Sequence, residues 1–582
     1  MILQELVRYY ERESRTNETE VAPEGFEYKE IPFVIVLDPD GKFRQIDDTR
    51  SGKGTKTRSA RFLVPHAVKR ARHVSANLLW DTCEYVLGVR SKSKLERRVR
   101  EQHRAFLDRL NSLQADDAGL LAIRAFLSNI PLDMLKKSQH WREIVEKNSN
   151  LTFRLTEDTI AVCERGAVIR SIYESATQAT GNSQGVCLVT GEETLIERLH
   201  PLIKGVHGAQ RQGANIVSFC LPAFESYGKK QGKNAPVGKY AAFAYTTALN
   251  HLLGKDSRQK VPLGDATVVF WSRSASRLEE TLPVSLGESL QDDPDANLRE
   301  VEAFFRSIER GRLDDGANTF FILGLSPNAS RISIRFWLTG TVLEFSERIA
   351  AHFQATEICR GPSDPRYLSL FRLLVSTARQ GKADNIPPNL AGDTLRAIFS
   401  GLPYPETLLA AALRRICAER DVSYPRAALV KACLNRAPRA PGSAAEVEMK
   451  VSLDISNTNT GYRLGRFFAT LEKIEQEAIP GMKATIRDRF YGAASSTPIT
   501  VFATQLKRSK HNLAKIQNRG RMVNLKTLLQ EINDSLDDKA GFPAHLSLAD
   551  QGRFAIGYYH QKLSFYTKKS EISEGDGNDR AQ

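Results

Sequence analysis

Hydrophobic positions along the chain change period several times, and each change marks an element. Residues 33 to 37 (FVIVL) are apolar and largely β-branched without alternation, which predicts a buried strand, whereas Leu95, Val99, Phe106, Leu107, Leu110 and Leu113 recur at helical spacing. The N-terminal region is therefore mixed α/β. From Thr152 onward, TFRLT, AVCERGAVIRSI, GVCLVTG and ATVVFW read as short strands that alternate with helical runs such as Gly238 to Leu253. Thr319 to Leu325 and Ile332 to Leu338 are β-rich and separated by Ser326-Pro327-Asn328-Ala329-Ser330-Arg331, whose Pro and Asn are turn formers, so the pair reads as a hairpin. After Arg396 the pattern becomes Leu- and Ala-rich and helical, interrupted by LNRAPRAPGSAAEVE. The fold class expected is α+β and multidomain, with mixed N-terminal and central regions followed by a C-terminal helical bundle. The expected divisions are 1–150, 151–396, a helical connector at 397–433, a linker at 434–448, a bundle at 449–569, and a disordered tail at 570–582 too poor in apolar residues to pack.

Composition adds a partner class. The 582 residues are long enough for several domains, roughly four at about 150 residues each, and carry a formal net charge of +14 spread along the chain. Nucleic acid is the leading partner for such a balance. A membrane is disfavoured, because no run of eighteen apolar residues occurs and the opening MILQELVRYYERE carries acids, so a soluble, cytoplasmic protein is expected. The seven cysteines contain no C-x-x-C pair and are expected to be reduced, mostly as small buried hydrophobes. Cys187, His200, His207 and Cys220 lack ligand-like spacing, so neither a metal nor a cofactor is expected.

Three stretches concentrate cations. Between Arg50 and Arg72 stand eight basic residues and no acid: Arg50, Lys53, Lys56, Arg58, Arg61, Lys69, Arg70 and Arg72, woven through Gly, Ser and Thr. Cations neutralise phosphates while glycine N–H groups and short hydroxyls approach the same oxygens, so the stretch suits a phosphate backbone. It runs into SANLLWDTCEYVLGV, which must pack, so the loop is positioned. Asn77 at that junction has two uses, a bidentate pair with a base edge or a turn cap. The second stretch holds Lys204 and Arg211 in one glycine-rich loop and Lys229, Lys230, Lys233 and Asn234 in another, after Tyr227, which is available to stack on a base. In the third, Arg508, Asn512, Lys515 and Arg519 fall at spacings of four, three and four, the pattern of one helix face meeting phosphates.

Catalytic signatures are missing. No P-loop and no dinucleotide fingerprint occurs, and the acidic runs Asp292-Asp293-Pro294-Asp295, Asp314-Asp315 and Asp537-Asp538 have no neighbouring His or Lys at a useful spacing, so they read as solvated turns. No catalytic residue is assigned.

The ordered strings MILQELVRYYER, IPFVIVLD with DPDGKF, RFLVP, SANLLWD, CLVTGE, LHPLIKG, AFESYGKKQGKNAPV and LGLSPNASRISIRFW resemble the large subunit of type I-C CRISPR Cascade complexes across nearly the whole chain. The resemblance implies a non-catalytic subunit that reads the protospacer-adjacent motif through its N-terminal region, helps open the duplex and stabilise the R-loop, and supports recruitment of a helicase-nuclease in antiviral defence. Its implied partners are target double-stranded DNA and the displaced strand, the guide RNA, and the backbone and guide-end-capping subunits. The resemblance also implies that the C-terminal bundle corresponds to a small subunit, which members of the family can make by internal translation. Met449 is a suitable start, since it precedes every helix of the bundle, and from there to Gln582 20 Lys+Arg stand against 14 Asp+Glu. The other functional class is a metal-dependent nuclease or other nucleic-acid-modifying enzyme.

Overall fold

The computed structural model describes residues 1–16, 21–52, 58–68, 70, 74–91, 95–177, 184–263, 266–287, 315–437, 448–536 and 541–566. It is α+β, in two compact units, one made of 1–203 with 217–251 and the other of 204–216 with 252–582. The three junctions, after residues 203, 216 and 251, do not coincide with the divisions read from composition.

In the first unit, helix α1 (Ile2–Arg15) precedes strands β1 (Phe26–Glu30), β2 (Phe33–Leu37), β3 (Phe43–Asp48), β4 (Arg61–Pro65) and β5 (Asp81–Thr82). Helices α2 (Glu96–Ser112) and α3 (Ala118–Ser128) lead to β6 (Asn150–Leu155). The main sheet has the order β3-β2-β6-β5, with β2 and β6 parallel and the other pairs antiparallel. Every residue of β2 is buried, because a strand flanked on both sides and covered on both faces has no solvent side. The parallel partner β6 lies across residue 150, so cutting the chain there divides one sheet; pairing between distant segments leaves no trace in local composition. Helix α3 is capped by Asp117, whose side chain accepts from the N–H groups of Gly119 and Leu120.

One element differs from its expected type. AVCERGAVIRSI forms a 3-10 turn at Val162–Glu164 and then helix α4 (Gly166–Thr177), not a strand. Val168 and Ile172 lie four apart, and the buried Val168 shows that helical packing decided between the two readings. A two-stranded sheet, β7 (Gln184–Val186) with β8 (Glu193–Leu195), and helix α5 (Lys239–Leu252) complete this part of the chain.

The second unit begins with an antiparallel sheet of order β12-β11-β10-β9, from β9 (Lys260–Leu263), β10 (Ala266–Ser272), β11 (Thr319–Asn328) and β12 (Arg331–Thr341). The expected hairpin is β11–β12, but its strands run further than the apolar pattern, pairing Asn328 with Arg331 and leaving only Ala329 and Ser330 in the turn. The sheet packs into one core with α6 (Val342–Thr356), α7 (Glu406–Glu419), α8 (Tyr424–Asn435), α9 (Thr460–Ala478), α10 (Ile486–Ser496), α11 (Phe502–Lys515), α12 (Arg519–Asp534) and α13 (Leu548–Ser564). Helix α8 extends into the expected linker. Residues 438–447, which make up most of that linker, and 567–582, which include the whole tail, lie outside the described residues.

The connector and the bundle share that core. Met449 is 1% exposed, its N–H donates to Asn435 Oδ1 at 2.8 Å, and its carbonyl accepts from Asn435 Nδ2 at 2.9 Å. Helix α13 lies on α7 and α8, so that a methyl placed on Gly552 would meet Val430, Leu409 and Leu434 at 3.3 to 3.5 Å. On its other side α13 crosses α9 through Gly465 and Gly557. A Cβ at Gly465 would lie 2.1 Å from the Phe554 carbonyl oxygen, and one at Gly557 2.0 Å from that of Tyr462. Only hydrogen at those two positions lets the backbones approach so closely. Buried polar pairs fix the register of the crossing: Tyr558 donates to Glu472 at 2.6 Å, Arg466 to Gln561 at 3.1 Å, and Tyr462 lies 2.9 Å from His560 Nδ1.

Candidate nucleic-acid interface

The first cationic stretch folds as two anchored loops. Ser51 and Arg58 exchange backbone hydrogen bonds of 2.8 and 2.9 Å, and Lys53 and Lys56, which stand between them in the sequence, lie outside the described residues. Arg58 is exposed, and so is Arg61, whose guanidinium lies 5.1 Å from the Tyr28 ring centroid. Arg50 turns inward, pairing with Asp48 and Glu143 over the Phe33 ring. Its hydrogen bond and that of Lys147 hold the Glu143 carboxyl down at about 2.

The second loop is held by a buried charge. Asp81 is fully buried, and burial raises its pKa against the opposing pull of Arg70, which forms an ion pair with it, and of the Asn77 and Thr82 N–H groups. Arg70 also donates to the Ser75 carbonyl at 2.7 Å and covers the Tyr85 ring, with its guanidinium 4.0 Å from the centroid. Arg109 reaches the Ala76 carbonyl, and burial lowers its pKa. Asn77 is 5% exposed and its Oδ1 accepts the N–H of Val68, nine residues earlier, at 3.0 Å, so it braces the loop from beneath. Lys69 and Arg72 lie outside the described residues.

The second stretch is divided between the two units, Lys204 and Arg211 in one and Lys229, Lys230, Lys233 and Asn234 in the other. The latter loop is a tight turn. Ser226 pairs with Lys229 in an antiparallel bridge, and Tyr227 (φ 51°) and Gly228 (φ 67°) at its tip both adopt left-handed backbone. Asn234 holds the turn from inside, its Oδ1 accepting the Ser226 N–H at 3.0 Å and its Nδ2 donating to the carbonyls of Lys229 and Gln231 at 2.9 and 3.0 Å. Gly232 seats the base, because a Cβ there would lie 2.3 Å from the Glu197 carbonyl oxygen. Lys229, Lys230 and Lys233 are exposed, and Tyr227 is 97% exposed. Asn234 is thereby a scaffold for the displayed residues.

The third stretch corrects the single face drawn from spacing. Arg508, Asn512 and Lys515 lie on α11, but the chain leaves the helix at Ile516, and Asn518 starts α12 by accepting the Arg521 N–H at 3.0 Å. Arg519 therefore belongs to a different helix. The apolar face of α11, with Phe502, Leu506, Ser509 and Leu513, packs inward, which leaves Lys507, His511 and Lys515 recurring every four residues on the outside with Arg508 beside them. Asn512 sits half-buried at its margin. Among the described residues Lys507, Arg508, Lys510 and Lys515 form no ion pair, and from Arg489 to Gln530 the sequence has no Asp or Glu. Lys507 and Lys510 are exposed on the same helix but fall outside the face that spacing predicts, which runs across a break that the Asn518 cap, a legible signal, encodes.

Among the described residues no group of three or more His, Cys, Asp or Glu side chains is placed to hold a metal ion. Cys187 accepts N–H hydrogen bonds from Gly238 and Val189 at 3.1 and 3.4 Å, and His200 Nδ1 lies 2.6 Å from the Tyr245 hydroxyl. Of the three acidic runs only Asp315 is described. Among the described residues no helix is long and apolar enough to cross a membrane. A family model described as CRISPR-associated protein (Cas_Csd1) matches residues 6–566. No curated protein matches the chain.

Proposed function

The chain belongs to the Cas_Csd1 family of CRISPR-associated proteins, and on that premise we propose that it is the non-catalytic large subunit of a type I-C Cascade complex, reading the protospacer-adjacent motif, aiding duplex opening and supporting a helicase-nuclease. The family match over nearly the whole chain carries the reading. Three cation-bearing surfaces support it, each mounted on packed structure: the loops around Arg58 and Arg61 and around Arg70, the Tyr227 turn, and the outer face of α11. Sequence in such an assembly is read by guide pairing, while protein cations hold backbones and a short motif is read in a groove. In this assignment Asn77 acts by holding the loop, and the motif contacts fall to the exposed side chains around it.

Assembled with guide RNA and its companion subunits, the chain is expected to bind a motif-bearing target duplex and to leave labelled strands intact in Mg²⁺ or Mn²⁺. Cutting by the purified chain that disappears when Asp314 and Asp315 are replaced by Ala would establish the nuclease class instead.

A short polypeptide beginning at Met449 is proposed as a partner. It would keep α9 to α13 and the glycine crossing whole, and would lose the cover that Leu409, Val430 and Leu434 give α13, an apolar face that must then meet another subunit. With a C-terminal tag on the gene, mass spectrometry is expected to find this species beside the full chain, and a silent change to the upstream ribosome-binding sequence to remove it. Full-length chain alone refutes the internal start.

A further inference from the structure

We infer that Tyr227 is a stacking platform for an unpaired base, an inference that rests on the nucleic-acid reading above and adds to its backbone contacts a contact with the base itself. A phenol ring at 97% exposure contributes nothing to the core. It nevertheless occupies a backbone conformation that favours glycine or asparagine, at φ 51°, followed by Gly228 at φ 67°. The turn is also rigid. The Ser226–Lys229 bridge closes it, Asn234 makes three hydrogen bonds across it, and Gly232 presses its base onto the Glu197 and Arg198 backbone, with the Gly232 N–H donating to the Arg198 carbonyl at 3.2 Å. A costly conformation maintained by so many local bonds, under a ring that adds nothing to the core, points to a use for the ring outside the fold.

Its neighbours select the ligand. Lys229, Lys230 and Lys233 are exposed on the same turn against one exposed acid, Glu225. An aromatic face beside several cations is the arrangement that binds single strands, with the ring under a base and the ammonium groups along its phosphates. A base inside a duplex offers no free face to a side chain. The ligand class is therefore a single strand, or the strand exposed where a duplex has been opened.

The test uses the assembled complex with guide RNA and a target duplex carrying 2-aminopurine at successive positions of the segment that opens. The wild-type chain and Tyr227→Phe are expected to quench the probe at one or two positions, since both keep an aromatic face. Tyr227→Ala should lose that quenching and weaken single-strand binding by about fivefold to a hundredfold. A triple Ala variant at Lys229, Lys230 and Lys233 should instead flatten the salt dependence of binding. An unchanged quenching profile and affinity in Tyr227→Ala, with the target still bound, overturns the platform and leaves the Cascade reading standing. Failure of the wild-type complex to bind its target overturns both. Release of the Tyr227→Ala chain from its companion subunits would make the ring a protein contact, and the platform would again be lost.

Discussion

Replacing Lys507, Arg508, Lys510 and Lys515 together by Ala is expected to abolish the grip of the C-terminal region on single-stranded DNA at physiological salt while leaving the fold intact. All four are exposed on α11, and among the described residues none forms an ion pair, so no internal interaction is lost. The cost falls on binding. Each phosphate contact removed should flatten the plot of log K against log salt by about 0.7 for a single strand. Four contacts acting together would account for most of the slope of a site this size. Glutamine at His511 is a useful control, because it leaves all four of these cations in place and should leave the slope nearly unchanged. A parent slope retained in the quadruple variant would remove α11 from the interface, whatever its charge.

How far the sequence foretold this surface depended on whether a feature was local. The non-alternating run at 33 to 37 announced a buried strand, the β11–β12 pair announced a hairpin, and the acid-free cationic stretches announced surfaces, because each is written in consecutive residues. Long-range pairing was not legible. The parallel β2–β6 pair joins residues more than a hundred positions apart, and the core that unites the connector with the bundle depends on Asn435 reaching Met449 and on α13 lying over α7 and α8. Charge alone also did not separate cations that face solvent from those that hold the fold. Arg70 is indistinguishable from Arg58 in the sequence until the buried Asp81 is placed beside it. The same holds for Asn77 and Asn234, whose amides could serve a base or a backbone equally well and are used for the backbone in both loops.

The crossing of α9 and α13 gives the largest stability effect expected in this chain. Alanine at Gly465 or Gly557 would gain about 1 kcal/mol in helix propensity over glycine. Against this stands a methyl group 2.1 or 2.0 Å from a main-chain carbonyl oxygen of the facing helix, where no flexible side chain can swing aside. Separating the helices to make room opens the interface on both sides and strains the Tyr558–Glu472 hydrogen bond, so a penalty at the upper end of overpacking, about 3 kcal/mol, is expected. The penalty wins by about 2 kcal/mol. Gly492→Ala in α10 isolates the propensity term, because a Cβ there meets nothing within 4 Å, and this variant should be neutral or slightly stabilised. Urea titrations of the three variants followed by circular dichroism would measure the difference, and a Gly557→Ala chain as stable as Gly492→Ala would refute the interlock. Function should follow stability. Phe467 and Phe468 of α9 seat Phe502 at the start of α11, with ring centroids 5.6 and 6.2 Å apart, so a displaced α9 carries the cationic face of α11 with it. The glycine variants should therefore also weaken single-strand binding, and because every cation remains, they should do so without the loss of salt slope that marks the quadruple alanine chain.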